Sequence, residues 1–207
     1  MRIAILGTGR MASGLGKGWL MAGHFVAFGS RRPETKNDFH KEVGLDSRVF
    51  GIEGAITAGE VVVITVPYAE TVPLAKQHAG LLRGKIIIDI TNPFRAQPAD
   101  GRAGAELTAE AIGDGARVVA AFKANFSNTL MEPVDHTGQP RDVFFAVDDE
   151  PAKQVVAGLI TDLGFKPIDC GPLRAATMLD LSVPMLIDMD TRLNGGRRTS
   201  SFRFSQE

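Results

Sequence analysis

Short apolar runs alternate along this chain with longer stretches of mixed polarity. The runs at residues 2–6, 25–29, 61–66, 85–90, 117–121, 143–147 and 166–169 read as strands, with 47–51 as a candidate short extra strand. Residues 11–22, 34–43, 52–58, 68–82, 105–112, 150–163 and 173–194 read as helices. Val61-Val62-Val63-Ile64 and Ile86-Ile87-Ile88 are apolar at consecutive positions, the pattern of strands covered on both faces. The alternation predicts a doubly wound α/β fold: a mostly parallel sheet, helices on both faces, and a long C-terminal helix.

Two helices stand out. The first contains Gly14, Gly16 and Gly18, each costing about 1 kcal/mol relative to alanine in a helix interior. Either that helix approaches its neighbours closely or the glycines are simply tolerated. The last helix, 173–194, is apolar at too many positions for one stripe, among them Met178, Leu179, Leu181, Val183, Met185, Leu186 and Met189. One side is expected to meet the parent domain and the other the same helix of a second copy, as a two-fold homodimer. Pro184 is expected to kink or divide it near Ser182-Val183. Beyond it, 194–207 is polar and rich in Gly, Arg and Ser. Phe202 and Phe204 are expected to dock this tail near the pocket, with Arg197, Arg198 and Arg203 as a local basic patch.

Composition narrows the class. The 207 residues are 44% hydrophobic and 23% charged, with a formal net charge of −1. No global field points to nucleic acid or an anionic membrane, so anion binding must be local. No apolar stretch reaches membrane-spanning length, and no charged leader with an apolar core opens the chain. The one cysteine, Cys170, cannot form an internal disulfide. It reads as a small apolar residue at a strand end, and the expected compartment is the cytoplasm.

The first strand runs directly into Gly7-Thr8-Gly9-Arg10-Met11-Ala12. This is G-x-G-x-x-A between a strand and a helix, the context in which the motif binds a dinucleotide. Gly7 permits the tight turn, Gly9 lets a pyrophosphate approach the backbone, and Ala12 keeps helix and sheet close. The helix N-terminus offers free N–H groups to the phosphates. The second strand ends in Ser30-Arg31-Arg32, where an NAD enzyme usually carries an acid. Two arginines suit a 2′-phosphate, so the expected cofactor is NADP(H). The alternative is an ordinary βα turn with a solvated basic face. The division that follows is a nucleotide-binding part, 1–122, and a smaller C-terminal part, 123–207, packed on it as one compact unit.

In such sheets ligands sit beyond the carboxyl ends of the strands. There the chain places Thr65-Val66-Pro67, Thr91-Asn92-Pro93 and Lys123. The threonines and Asn92 could hold the nicotinamide ribose or carboxamide, or could serve as ordinary helix caps. Lys123 is a candidate catalytic residue at the pocket rim, as an anion anchor or general acid, or else a surface lysine. His24, His40, His78 and His136 are scattered. No metal-ligand spacing and no nucleophile elbow is present, which assigns the chemistry to the cofactor.

These residues resemble the NADP oxidoreductases dependent on coenzyme F420, the deazaflavin:NADP reductase family. The similarity runs from the fingerprint through Gly29–Arg32, Val66-Pro67 and Asp148–Val156 to Asp169–Leu173 and the long last helix ending at Asn194-Gly195. The resemblance implies a Rossmann-like fold and hydride exchange between NADP(H) and a flat redox partner, coenzyme F420. It places the dinucleotide turn at Thr8, Gly9, Arg10 and Met11, the 2′-phosphate at Ser30, Arg31 and Arg32, and the nicotinamide at Val66-Pro67 and Asn92-Pro93. It departs from the family pattern at Lys123. The competing readings are an NADPH-dependent reductase of a flavin, quinone, metal complex or small imine, and an NADPH-binding sensor without turnover.

Overall fold

A computed structural model describes residues 1–36, 38–44, 47–94 and 96–205, without the side chains of His40 and Glu42. Asn37, inside the expected helix 34–43, and the last two residues of the expected tail lie outside the described residues. The strands are β1 (Arg2–Leu6), β2 (Phe25–Ser30), β3 (Arg48–Gly51), β4 (Val61–Ile64), β5 (Ile86–Asp89), β6 (Arg117–Ala120), β7 (Asp142–Val147) and β8 (Lys166–Asp169). The helices are α1 (Arg10–Met21), α2 (Phe39–Val43), α3 (Ile52–Ala58), α4 (Tyr68–Gln77), α5 (Ala79–Leu82), α6 (Gly104–Ile112), α7 (Glu150–Asp162) and α8 (Ala176–Leu193).

They build one sheet in the order β3-β2-β1-β4-β5-β6-β7-β8. Every pairing is parallel except β6–β7. The segment from β6 to β7 carries only a short 3-10 turn at Ser127–Thr129 and no crossover helix. It therefore returns antiparallel, since a parallel partner needs a crossover. The order reverses between β1 and β4, which opens a crevice at the carboxyl end of β1.

Alternate side chains of the central strands feed two cores. Ile3, Ile5, Val61, Val63 and Ile88 face α1, α2 and α7 with Trp19, Phe28 and Leu159. Ala4, Leu6, Val62, Ile64 and Ile87 face the other layer with Ile56, Leu82 and Ile112. The consecutive apolar runs are this two-sided burial. In α1 the glycines mark close approach. A Cβ on Gly16 would lie 2.2 Å from the Phe28 ring, and one on Gly14 2.9 Å from Leu130.

Three expected helices differ in detail. Residues 34–43 split into a 3-10 turn, Pro33–Thr35, and α2. Residues 68–82 break at His78, which leaves helical geometry (φ −111°, ψ 17°) and turns into the protein. Residues 173–194 begin as a 3-10 turn, Leu173–Ala175, before α8. Of the two outcomes expected at Pro184, division does not occur: α8 runs on through it. Val183 and Leu186, on either side of it, are packed against Ala124. The buried face of α8 carries Leu179, Val183 and Leu186, while Met178, Leu181, Met185, Met189 and Leu193 are exposed. Among the described residues no helix is long and apolar enough to cross a membrane.

Candidate functional site

The turn after β1 is built as its glycines require. Gly7 has φ 135° and donates its N–H to the Gly29 carbonyl at 2.9 Å. A Cβ there would fall 2.3 Å from Thr65 Oγ1. Gly9 is the N-cap of α1; no side chain caps the helix, and its first turn holds no acid. The first N–H groups of this 12-residue helix are therefore left without a side-chain partner. A Cβ on Gly9 would meet no protein atom within 4 Å, so packing does not demand glycine there.

A cleft of about 890 Å³ opens at this point. It brings together Gly7, Thr8, Gly9, Ser30, Arg31, Arg32, Thr65, Val66 and Pro67, three separate strand ends of the expected site. Ser30 Oγ accepts from the Arg32 N–H at 3.1 Å and shapes the corner after β2. Arg31 is exposed, its guanidinium 3.8 Å from the Glu70 carboxylate. Thr65 donates its hydroxyl to the Leu6 carbonyl at 2.9 Å, which ties the β4 end to the β1 turn. The cleft also contains Thr35, Lys36, Ile52, Glu70 and Leu74, which sequence reasoning missed. Lys36 was legible in principle. It follows Arg31-Arg32 closely, and the 3-10 turn at Pro33–Thr35 folds it back onto the same wall.

The remaining expected residues lie elsewhere. Met11 and Asn92 line a second, smaller cavity of about 180 Å³ with Phe94, Phe122, Lys123, Phe126 and Ile187. Arg10 is exposed on α1 and lines neither cavity. Pro93 is buried beside Asn92. Thr91 is buried, and its N–H and hydroxyl both donate to Asp89 Oδ1, at 2.8 and 2.7 Å. Asp89 Oδ2 accepts from Thr108 at 2.7 Å. The Thr91 hydroxyl, a candidate for the nicotinamide ribose or carboxamide or for a helix cap, here closes a turn around the carboxylate at the end of β5.

Lys123 requires a larger correction. It is not at a rim. Its side chain is 0% exposed, and Nζ lies 2.7 Å from Asp180 Oδ1, itself 2% exposed. Its aligned hydrogen bond goes to the Thr91 carbonyl, so the contact with Asp180 is one of charge rather than hydrogen-bond geometry. The Lys123 carbonyl in turn accepts from Asn92 Nδ2 at 3.0 Å. The lysine holds the Thr91-Asn92 turn from two sides, and its charge is answered within the protein. Asp180 Oδ2 accepts from the Gly104 N–H at 2.9 Å, linking α8 to the start of α6. Tyr68, the first residue of α4, stands near this cluster. Burial raises its phenol above the ordinary range, and the Asp180 and Asp89 carboxylates add to the rise.

The tail is docked. Asp190, buried on α8, accepts from Asn194 Nδ2 and Ser200 Oγ on Oδ1, and from the Arg198 N–H and guanidinium on Oδ2. Burial alone would push this carboxyl up. Hydrogen bonds from Ser200, Asn194 and the Arg198 and Ser200 N–H groups outweigh it and hold the carboxyl well below the usual range. Phe202 packs with Phe126 and Ile187, which line the smaller cavity. Phe204 stays exposed. The expected basic patch is corrected in part: Arg198 pairs with Asp190, and Arg203 with Asp135. Cys170 is half-buried and packs on the second core, and burial pushes its thiol up.

Comparison with known proteins adds an independent line. Residues 2–93 match the family described as NADP oxidoreductase coenzyme F420-dependent. The chain is 30% identical over 213 residues to an F420-dependent NADP reductase of Methanocaldococcus jannaschii, covering 93% of each protein. It is 32% identical over 218 residues to the F420-dependent NADP reductase of Methanothermobacter thermautotrophicus, covering 93% of this chain and 90% of that one. Among solved structures, a putative F420-dependent NADP-reductase from Arthrobacter sp. FB24 superposes with a TM-score of 0.89 at 24% identity, covering 99% of both chains. That likeness concerns the fold, which is Rossmann-like.

Proposed function

The chain belongs to the F420-dependent NADP oxidoreductase family, and on that premise we propose that it transfers a hydride between NADP(H) and coenzyme F420. The observation that carries the reading is the single cleft uniting the uncapped N-terminus of α1 with Ser30, Arg31, Arg32 and Lys36. Unpaired N–H groups suit a pyrophosphate. Two arginines and a lysine, with no acid at the end of β2, suit a 2′-phosphate. Val66-Pro67 forms the wall from the phosphates toward the sheet, and Asn92 with Met11 lines the neighbouring cavity, where the nicotinamide and its redox partner would meet. Residues 1–122 thus supply the nucleotide half, and residues 123–207 complete the acceptor side.

When bound, NADPH would supply the hydride, and F420 would accept it together with one proton. The protein's residues bind and orient; Lys123 acts by holding the Thr91-Asn92 turn rather than by touching substrate. The exposed stripe of α8 has the spacing Met178, Leu181, Met185, Met189, Leu193, a continuous apolar face suited to the same helix of a second copy. We place the homodimer contact there and the protein in the cytoplasm, where its one thiol stays reduced.

The test is direct. Protein mixed with NADPH and F420 should oxidise NADPH at 340 nm and bleach F420 in equal amounts. NADPH binding without F420 turnover, together with turnover of a flavin, quinone or imine, would replace the acceptor. NADPH binding with no acceptor at all would leave a sensor.

A further inference from the structure

Among the described residues three non-glycine residues have a left-handed backbone: Phe94 (φ 49°), Phe122 (φ 56°) and Arg198 (φ 58°). For a bulky side chain this conformation is strained, and it persists only where the surroundings determine it. Two of the three have a visible reason. Phe122 is fully buried between Trp19 and Phe165, edge-on to both at 6.2 and 6.4 Å between ring centres. Arg198 is held by the Asp190 carboxylate through its N–H and its guanidinium.

Phe94 has neither kind of support. It is 49% exposed and has no aromatic neighbour in stacking contact among the described residues. It stands two residues past Asn92, after the buried Pro93, at the edge of the cavity walled by Met11, Asn92, Phe126 and Ile187. An exposed phenylalanine in a strained backbone is disfavoured twice, by solvation and by conformation. The cavity holds about 180 Å³, less than the roughly 300 Å³ at which ligand pockets enclose a drug-sized molecule. A planar system of three fused rings entering beside Asn92 must leave part of its face outside, over Phe94.

We infer that Phe94 is the stacking face for the hydride partner: its ring covers the outer part of the planar deazaflavin and selects flat aromatic acceptors. The inference rests on the proposed F420 reading and specifies the residue that recognises the ring. Offset aromatic stacking is worth up to about 1.5 kcal/mol, which corresponds to roughly tenfold in affinity.

The experiment compares the full-length wild type with Phe94→Tyr, Phe94→Leu and Phe94→Gly. It measures KM and kcat for F420, the perturbation of the F420 absorbance band on binding, the NADPH dissociation constant, and Tm. Tyr should keep KM within about twofold and preserve the spectral change. Leu and Gly should raise KM about tenfold and abolish it, with NADPH binding unchanged. Gly also removes the backbone strain, so its Tm should equal or exceed that of the wild type; a purely structural phenylalanine would instead lose Tm. F420 turnover in the wild type with KM unmoved in Leu and Gly would overturn this assignment alone. No F420 turnover in the wild type would overturn the acceptor reading and this inference together.

Discussion

Lys123 Nζ lies 2.7 Å from Asp180 Oδ1, with both side chains sealed from solvent. The pair joins the segment after β6 to α8, and through the Thr91 carbonyl and the Gly104 N–H it reaches the turn after β5 and the start of α6. Removing one partner leaves a buried charge without compensation, at a cost of about 3–5 kcal/mol. Lys123→Met should destabilise by that amount in urea unfolding. Lys123→Met with Asp180→Leu should recover most of the loss, because neither charge then remains buried. A single variant within about 1 kcal/mol of wild type would show that the pair is solvated.

On the proposed reading, Arg31 is the residue expected to separate NADP from NAD in this cleft. Loss of a charge-assisted contact to the 2′-phosphate is worth about 1.5–3 kcal/mol, or roughly tenfold to a hundredfold. Arg31→Ala should weaken NADPH binding by that factor and leave NADH binding within about twofold. Calorimetric titration of both nucleotides reads the difference, and equal weakening would remove the arginine from the 2′-phosphate site.

Gly9 and Gly16 make a matched pair of tests in one helix and its cap. Gly9→Ala adds a methyl group that meets no protein atom within 4 Å at an ordinary φ of −91°. Tm should hold, while NADPH affinity falls at least about tenfold as the methyl group blocks phosphate approach. Gly16→Ala places its methyl 2.2 Å from the Phe28 ring. That overpacks the core and should cost about 1–3 kcal/mol. A Gly9 variant with full NADPH affinity would move the pyrophosphate elsewhere.

The docked tail should release in acid. The Asp190 carboxyl is held below its ordinary range, and that of Asp135 is lowered from 3.8 to about 2, chiefly by the Thr137 hydroxyl, with Arg203 contributing. A carboxylate with a depressed folded-state pKa stabilises the docked form above its unfolded pKa. That contribution fades as pH falls through about 4 and is gone near the folded values. The hydrogen-exchange protection factors of residues 197–205, taken relative to intrinsic rates at each pH, should therefore fall below pH 4. Asp190→Asn should show fast exchange already at pH 7. Unchanged protection in that variant would mean that Phe202 packing alone holds the tail.

Much of the architecture was legible in the chain because it depends on local periodicity. Val61–Ile64 and Ile86–Asp89 are apolar at nearly every position, which only a sheet covered on both faces satisfies. Gly7-Thr8-Gly9 and Ser30-Arg31-Arg32 announce a nucleotide site through backbone conformation and charge, properties that residues carry with them wherever they are placed. The direction of β7 was not legible, because Asp142–Val147 reads the same in either orientation and only its pairing with β6 chooses.

The sequence by itself therefore determined the strand–turn–helix units and the chemistry at their ends. Only the tertiary structure decided where each charge goes. Lys123 looks like a free cation at a strand end until Asp180, on a helix more than fifty residues later, arrives beside it. Arg198 and Arg203 look like a basic patch until Asp190 and Asp135 answer them. The strain at Phe94 is likewise invisible in the string of letters, and Lys36, though close to Arg31-Arg32 in sequence, reaches the cleft wall only through the 3-10 turn between them. The physical reason is common to all four. A side chain's role depends on the potential and packing around it, and its neighbours in space come from segments that no local pattern relates.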